Sequence, residues 1–255
     1  MESIDASTWL IAFIFFGVAL TYSAVGLGGG SSYTALMAIF GFSYLTIPMV
    51  TLSLNLMVTS MGSFNYFRRG HVRLRLIVPF LVSSVPMAYL GGTLNLPKEV
   101  FYWLLWISLV GVVIRIYVLK EVGVELHLRP NAQLALALLI GAILGLLAGI
   151  VGIGGGVYLI PLILILKMGD AKQAAATGSL FIWFNSAIGL SARIQHNPID
   201  FTPFLPMLAA VTFGGIIGSN LGSGVLSRQF MQKLLGLIIL VAIGFLTRKI
   251  FMIYS

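Results

Sequence analysis

Cysteine is absent from the 255 residues, which excludes disulfides, thiol relays and cysteine-ligated metals. Charge is scarce as well. Only 9% of positions are Asp, Glu, Lys or Arg, against about 25% in an ordinary soluble domain. None of them falls between Ala6 and Phe67. So few ions cannot solvate a globular surface, and 59% hydrophobic positions with a mean hydropathy of +1.04 identify the solvent as a bilayer. That excludes a soluble enzyme, a disordered tail and a water-exposed binding module.

Acids are the rarest charges. Glu2 and Asp5 lie at the start, Glu99 at a segment start, Glu121 and Glu125 in a connector, and Asp170 and Asp200 in loops. No Asp, Glu or His lies near the middle of an apolar segment, where proton relays sit. A Ser–His–Asp set, a carboxylate pair and a His-Glu-x-x-His run are all missing. The chain is therefore not expected to be an enzyme or to hold a cofactor or metal. His71, His127 and His196 read as loop residues without metal-ligand spacing.

The charges present are mostly basic, 15 Lys and Arg against 7 acids, giving a net +8. In a soluble chain that balance would suggest nucleic acid. Here the basic residues flank apolar segments, as loop charges of membrane proteins do. The densest group (Arg68, Arg69, Arg73 and Arg75) has no aromatic interleaving, so nucleic acid is not an expected partner. The first apolar stretch follows acidic rather than basic residues. It is expected to remain in the membrane rather than to be removed as a signal.

Charges, prolines and glycines divide the chain into ten apolar segments, roughly 8–26, 31–42, 46–67, 76–95 and 98–119, then 132–151, 156–166, 171–193, 201–222 and 229–250. About 20 helical residues span a hydrocarbon core of about 30 Å. Eight segments reach that length. The second of each five is too short, and each short one follows a glycine cluster: Gly26-Leu27-Gly28-Gly29-Gly30 and Gly152-Ile153-Gly154-Gly155-Gly156. The offset of 126 residues between the clusters also aligns Thr51-Leu52-Ser53-Leu54 with Thr177-Gly178-Ser179-Leu180. The reading is an all-α polytopic membrane protein of two pseudo-symmetric five-segment repeats, 1–125 and 126–255. If the short segments cross the membrane, the halves are inverted; if they dip and return, the halves are parallel. Loop charges narrowly favour inversion.

A short, glycine-interrupted segment at matching places in two halves points to a membrane transport site. Glycine lets the backbone break, and the helix that follows begins with N–H groups that lack partners and carry partial positive charge. Backbone donors at Gly28, Gly29, Gly30 and Ser31, and at Gly154, Gly155, Gly156 and Val157, suit an oxyanion. The competing reading is that the glycines only allow close helix packing. A second layer of hydroxyls and amides follows each cluster: Thr51, Ser53 and Asn55 in one half, Thr177, Ser179 and Asn185 in the other. These serve equally well as interhelical hydrogen-bonding groups. Arg115 is expected to snorkel and Arg193 to anchor the end of the eighth segment. The glycine runs are not Rossmann or Walker signatures, since the strand and the lysine are missing.

The two glycine headers, together with Ala174-Ala175-Ala176-Thr177-Gly178-Ser179-Leu180 and the later run 214–223, resemble the sulfite exporter TauE/SafE family over nearly the whole chain. That resemblance implies a permease for sulfite, sulfonates or related small organic anions. The expected partners are then a small anionic substrate, the lipid bilayer of the cell (inner or plasma) membrane and a second copy of the chain in a homodimer. An anion channel and a non-transporting membrane scaffold are the alternatives.

Overall fold

Helices in hydrocarbon are apolar on most sides, so their ends must be marked by punctuation rather than by an amphipathic stripe. The computed structural model describes residues 6–25, 28–118, 129–221 and 228–254. Among them every regular element is helical: α1 (Ala6–Val25), α2 (Gly30–Ile39), α3 (Thr46–Arg68), α4 (Leu74–Thr93), α5 (Lys98–Tyr117), α6 (Pro130–Val151), α7 (Gly156–Ile165), α8 (Ala171–His196), α9 (Leu205–Leu221) and α10 (Arg228–Tyr254). A 3-10 turn, Thr202–Phe204, leads into α9. Pro130 occupies the first turn of α6, where its missing N–H costs nothing. α8 opens with a capping box, in which the Asp170 carboxylate accepts the Lys172 and Gln173 N–H groups and Gln173 Oε1 accepts that of Asp170.

Eight segments were expected to be long and apolar enough to span a bilayer. Among the described residues five helices qualify: Thr46–Arg68, Leu74–Thr93, Lys98–Tyr117, Pro130–Val151 and Thr202–Ser219. α8 is longer than any of these, at 26 residues, yet it buries Thr177, Ser179, Asn185, Ser186 and Arg193. Its polar load belongs to the protein interior, and hydropathy alone undervalues it. α10 carries Lys233, Arg248 and Lys249 within its 27 residues. In α1 the described apolar stretch is Trp9–Ser23.

The order of contacts along each helix pair gives the directions. Leu52 meets Gly189, Ser60 accepts from Trp183, and Ser63 pairs with Ser179, so α3 and α8 run antiparallel. α4 and α6 run parallel, with Gly141, Gly145 and Gly149 laid in turn against Phe80, Ser84 and Ala88. α1 and α9 are also parallel, with Gly214 on Phe16 and Gly218 on Leu20. Small residues at these crossings let backbones approach where lipid gives no hydrophobic drive.

α6 and α8 also run the same way, since Gly155 touches both Leu144 and Phe181 while Arg193 reaches Gly149 and Ile150. The chain between them must therefore return from one end of the bundle to the other. A helix of 10 residues supplies only about 15 Å. The non-helical break before α7, from Gly152 to Gly155, makes up part of the remainder.

α2 and α7 repeat each other bond for bond. Gly29 and Gly155 are their left-handed N-caps, with φ of 83 and 74. Each N-cap carbonyl accepts two N–H groups, from Ser32 and Tyr33 and from Tyr158 and Leu159. Each helix closes alike, with Phe42 N–H to Met37 O and Met168 N–H to Ile163 O, both at 3.0 Å. The closing turn needs a left-handed residue. Gly41 supplies it in one half and Lys167, at φ 50, in the other.

Candidate functional site

Two helices that begin inside a membrane protein leave first-turn N–H groups with no intrahelical acceptor. No side chain caps α2 or α7, so the donors of Gly30 and Ser31, and of Gly156 and Val157, face this condition. The fold brings the two breaks together. A side chain on Gly30 would run into Ile153 O, the carbonyl just ahead of the α7 break, and would meet Asn55 Nδ2 at 2.6 Å. Asn55 sits between the breaks: its Nδ2 donates to Gly152 O at 3.1 Å and lies 3.1 Å from where a Gly154 side chain would start. Ile182 fills the other side, against Gly28, Gly154 and Gly156. All of these positions are buried.

The amide of Asn55 is oriented by its bond to Gly152, which leaves Oδ1 buried without a partner. Asn185 instead bonds back onto its own helix, with Nδ2 on Phe181 O at 2.8 Å, and its Oδ1 is likewise buried without a partner. The matched hydroxyls behave differently. Thr51 donates to Ile47 O at 2.8 Å and Ser53 to Met49 O at 2.9 Å, both on their own helix, so their O–H groups are in use. Thr51 still packs against Gly152. Thr177 Oγ1 is buried with no partner, one residue from Gly178, whose carbonyl faces Gly156. Of the four matched hydroxyls, Thr177 keeps a free donor beside a break.

Ser53 and Ser179 do not meet each other. Ser179 bonds Ser63 at 3.1 Å and lies against Gly62, about ten residues and hence about 15 Å along α3 from Ser53. Ser31 Oγ is 3.2 Å from the Tyr22 hydroxyl and so is partly occupied. Val157 contributes its backbone alone.

Two neighbours carried no signal in the sequence: Ile182, an ordinary apolar residue, and Tyr33, whose buried hydroxyl has no partner and whose ring a Gly29 side chain would strike at 2.9 Å. Arg193 was expected to end its helix at the boundary. α8 instead runs on to His196, and the guanidinium turns inward onto α6. His196 therefore ends a helix rather than occupying a loop, while His127 lies outside the described residues.

The centre is closed around these groups. A cavity of about 380 Å³ lies elsewhere, between α5, α6 and α7, and is lined mainly by apolar side chains including Leu104, Ile140 and Leu162. Among the described residues no group of three His, Asp or Glu could hold a metal ion. The first-turn N–H groups at the two breaks carry partial positive charge, and among the described residues Glu99, Asp170 and Asp200 lie at helix ends or in loops rather than beside them.

Comparison with known proteins finds relatives named as membrane transporters. Residues 10–246 match the family model described as sulfite exporter TauE/SafE. A probable membrane transporter protein, y4hK, of Sinorhizobium fredii is 37% identical over 236 residues, covering 91% of this chain and 95% of that protein. Two probable membrane transporter proteins of Bacillus subtilis are more distant. YdhB is 21% identical over 83% of this chain and 89% of its own length, and YjnA 25% over 85% and 91%. No solved structure matches the chain. With a family model covering nearly its whole length, the chain belongs to the sulfite exporter TauE/SafE family.

Proposed function

We propose that this protein is a secondary transporter in the cell (inner or plasma) membrane for a small anion: sulfite, a sulfonate or a related organic anion. The observation that carries the reading is the meeting of two uncapped helix starts, where Gly30 abuts Ile153 just ahead of α7. Their backbone donors and the free Thr177 hydroxyl would hold the anion without a fixed positive charge, so release costs little. Family membership and the names of the relatives support transport. The closed centre favours a carrier over an open channel.

In the same reading, 1–125 and 126–255 form an inverted pair. The antiparallel run of α3 and α8 supports this, as do the matched parallel crossings of α4 with α6 and α9 with α1.

Proton coupling through a carboxylate is not part of this mechanism. The described acids, Glu99, Asp170 and Asp200, sit at helix ends or in loops. Hydrogen bonds from Thr202 hold the Asp200 carboxyl below its ordinary value, so it is ionised across the physiological range. Its contribution to stability is present above the unfolded-state carboxylate pKa and lost only as pH falls below it.

The test is sulfite counterflow in proteoliposomes. Saturable flux accelerated by sulfite on the far side is expected, and it should survive Glu99→Gln, Asp170→Asn and Asp200→Asn with any uphill drive unchanged. Flux linear in concentration would mean a channel. The absence of flux for sulfite and for alkylsulfonates would reject the reading.

A further inference from the structure

A helix N-terminus favours anions and disfavours cations, because its free N–H groups carry partial positive charge. α4, α6 and α8 run parallel, so all three begin at one end of the bundle. There a side chain on Gly169, just ahead of α8, would meet Leu76 of α4 at 3.0 Å. The pairings of Gly141 with Phe80 and of Gly149 with Ala88 set the start of α6 more than one turn beyond that of α4, level with the turn between α3 and α4. α8 obeys the electrostatic rule, with Asp170 as its N-cap. α4 and α6 break it. Their N-caps are Arg73 and Arg129, neither start has a side-chain cap, and Arg75 follows in the first turn of α4.

Arg68, Arg69 and Lys172 stand exposed at the same end. Among the described residues Asp170 is the one acid there, and its carboxylate already accepts the Lys172 and Gln173 N–H groups. The opposite end is mixed. It holds Lys98 with Glu99 and Asp200, and also Arg248 and Lys249, because α10 runs antiparallel to α5 with Thr247 on Trp106 and Gly236 on Tyr117. Like charges crowded onto neighbouring helix starts repel one another and the helix ends alike, so the basic end calls for an external anion. An apolar track leads away from it. Leu74, between Arg73 and Arg75, is exposed, as are Val78 and Val82, and the three share one face of α4 over about 12 Å.

We propose that this end of the protein binds an anionic phospholipid of the surrounding bilayer, its phosphate held among Arg73, Arg75 and Arg129 and an acyl chain laid along Leu74, Val78 and Val82. A guanidinium matches two phosphate oxygens, and the uncapped N–H groups of the α4 start add donors of the same sign. Basic clusters at the ends of membrane helices attract anionic head groups in this way. The lipid supplies to α4 and α6 the negative charge that Asp170 supplies to α8, and it sets the basic end on the leaflet richer in anionic lipid. The site rests on charge and exposed surface at this end and stands whether or not the glycine breaks carry an anion.

The test is thermal unfolding of the full chain in a non-ionic detergent, titrated with phosphatidylglycerol, with phosphatidylcholine of the same acyl chains, and with glycerol 1-phosphate. Stabilisation that rises with the logarithm of ligand concentration yields each affinity. Phosphatidylglycerol should bind tightest, and glycerol 1-phosphate, which lacks the chains, weakest. Arg73→Gln combined with Arg129→Gln should weaken phosphatidylglycerol about ten- to thirty-fold. Lys98→Gln combined with Arg248→Gln removes the same charge from the opposite end and should leave its affinity unchanged. Native mass spectrometry of both double variants gives a second reading, with less phosphatidylglycerol retained by the first alone. The proposal is overturned if the two phospholipids stabilise wild type equally, as when the arginines pair with acids of the chain itself, Glu121 or Glu125. It is also overturned if both double variants lose affinity alike, the signature of net charge, or if glycerol 1-phosphate matches the lipid. Sulfite counterflow that fails while this binding persists would reject the transport reading alone.

Discussion

The same 10-residue helix occurs twice in this chain, and the two copies are held by different neighbours. α2 is buried along its whole length from Gly30 to Ala38, with Ser31 and Ser32 tied to the Tyr22 hydroxyl of α1 and its flank packed on α3 and α10. α7 leans chiefly on α8 and leaves Tyr158, Pro161, Leu162 and Leu164 partly or fully exposed beside the large cavity. Its hydrogen bond to α5 runs from the Tyr158 hydroxyl to Ser108 O. Matching backbone bonds thus coexist with unequal packing, because glycine and turn geometry set the first while side-chain volume sets the second. α7 is the looser copy, the element better placed to move during transport.

The largest expected effect comes from filling the breaks. Gly29 and Gly155 combine left-handed φ with rings 2.9 Å from any added Cβ, those of Tyr33 and Phe181. Gly29→Val and Gly155→Val should both abolish sulfite flux, since a β-branched side chain suits neither the φ nor the space. If the packing difference matters, Gly155→Val should retain the larger folded fraction by size-exclusion chromatography. Full activity in both variants would reduce the breaks to packing devices.

Next in size is the hydroxyl pair. Thr177→Val should weaken substrate affinity about ten- to a hundred-fold, the loss of a hydrogen bond to a charged ligand. Thr51→Val should change affinity little, because its O–H already serves Ile47. Equal effects in flux-derived affinity would show that the two halves contribute alike.

Tyr158→Phe should cost about 0.5–1.5 kcal/mol in detergent unfolding and alter the maximal flux more than the affinity, because it loosens α7 without touching the breaks. The smallest effect concerns the closing turns. Gly41→Ala adds a Cβ into open space at φ 78, so its cost of about 1 kcal/mol is purely conformational. Lys167→Gly should stabilise by about 0.5 kcal/mol, less than the full relief because glycine also gains freedom when unfolded. An unchanged melting temperature in both would mean that the turns are not strained.

Much of this architecture is legible in the chain itself. The breaks at 28–30 and 152–156, the helix starts at Pro130 and Asp170 and the stop at Gly41 are written in residues whose backbone preferences are strong and local. The capping box at Asp170 and Gln173 is another such signal. The bilayer reading follows from composition, since too few charges exist to solvate a surface. The offset of 126 residues was visible because glycine at a break cannot be exchanged freely for other residues.

What stayed hidden depends on neighbours distant in sequence. Thr51 and Thr177 head the same Thr-x-Ser-Leu pattern, yet one hydroxyl is satisfied by its own helix and the other is free. Ser53 and Ser179 look alike in sequence, yet Ser53 bonds Met49 O on its own helix while Ser179 bonds Ser63 on α3. Ile182 became the plug between the breaks and Arg193 an inward cation only through the way α8 lies on α6. Composition and punctuation determined that this is a helical membrane protein with two glycine-started half-helices. Which donors remain unsatisfied, and where a buried charge points, was decided only by packing, because hydrogen-bond and charge compensation are properties of a residue's surroundings rather than of its identity.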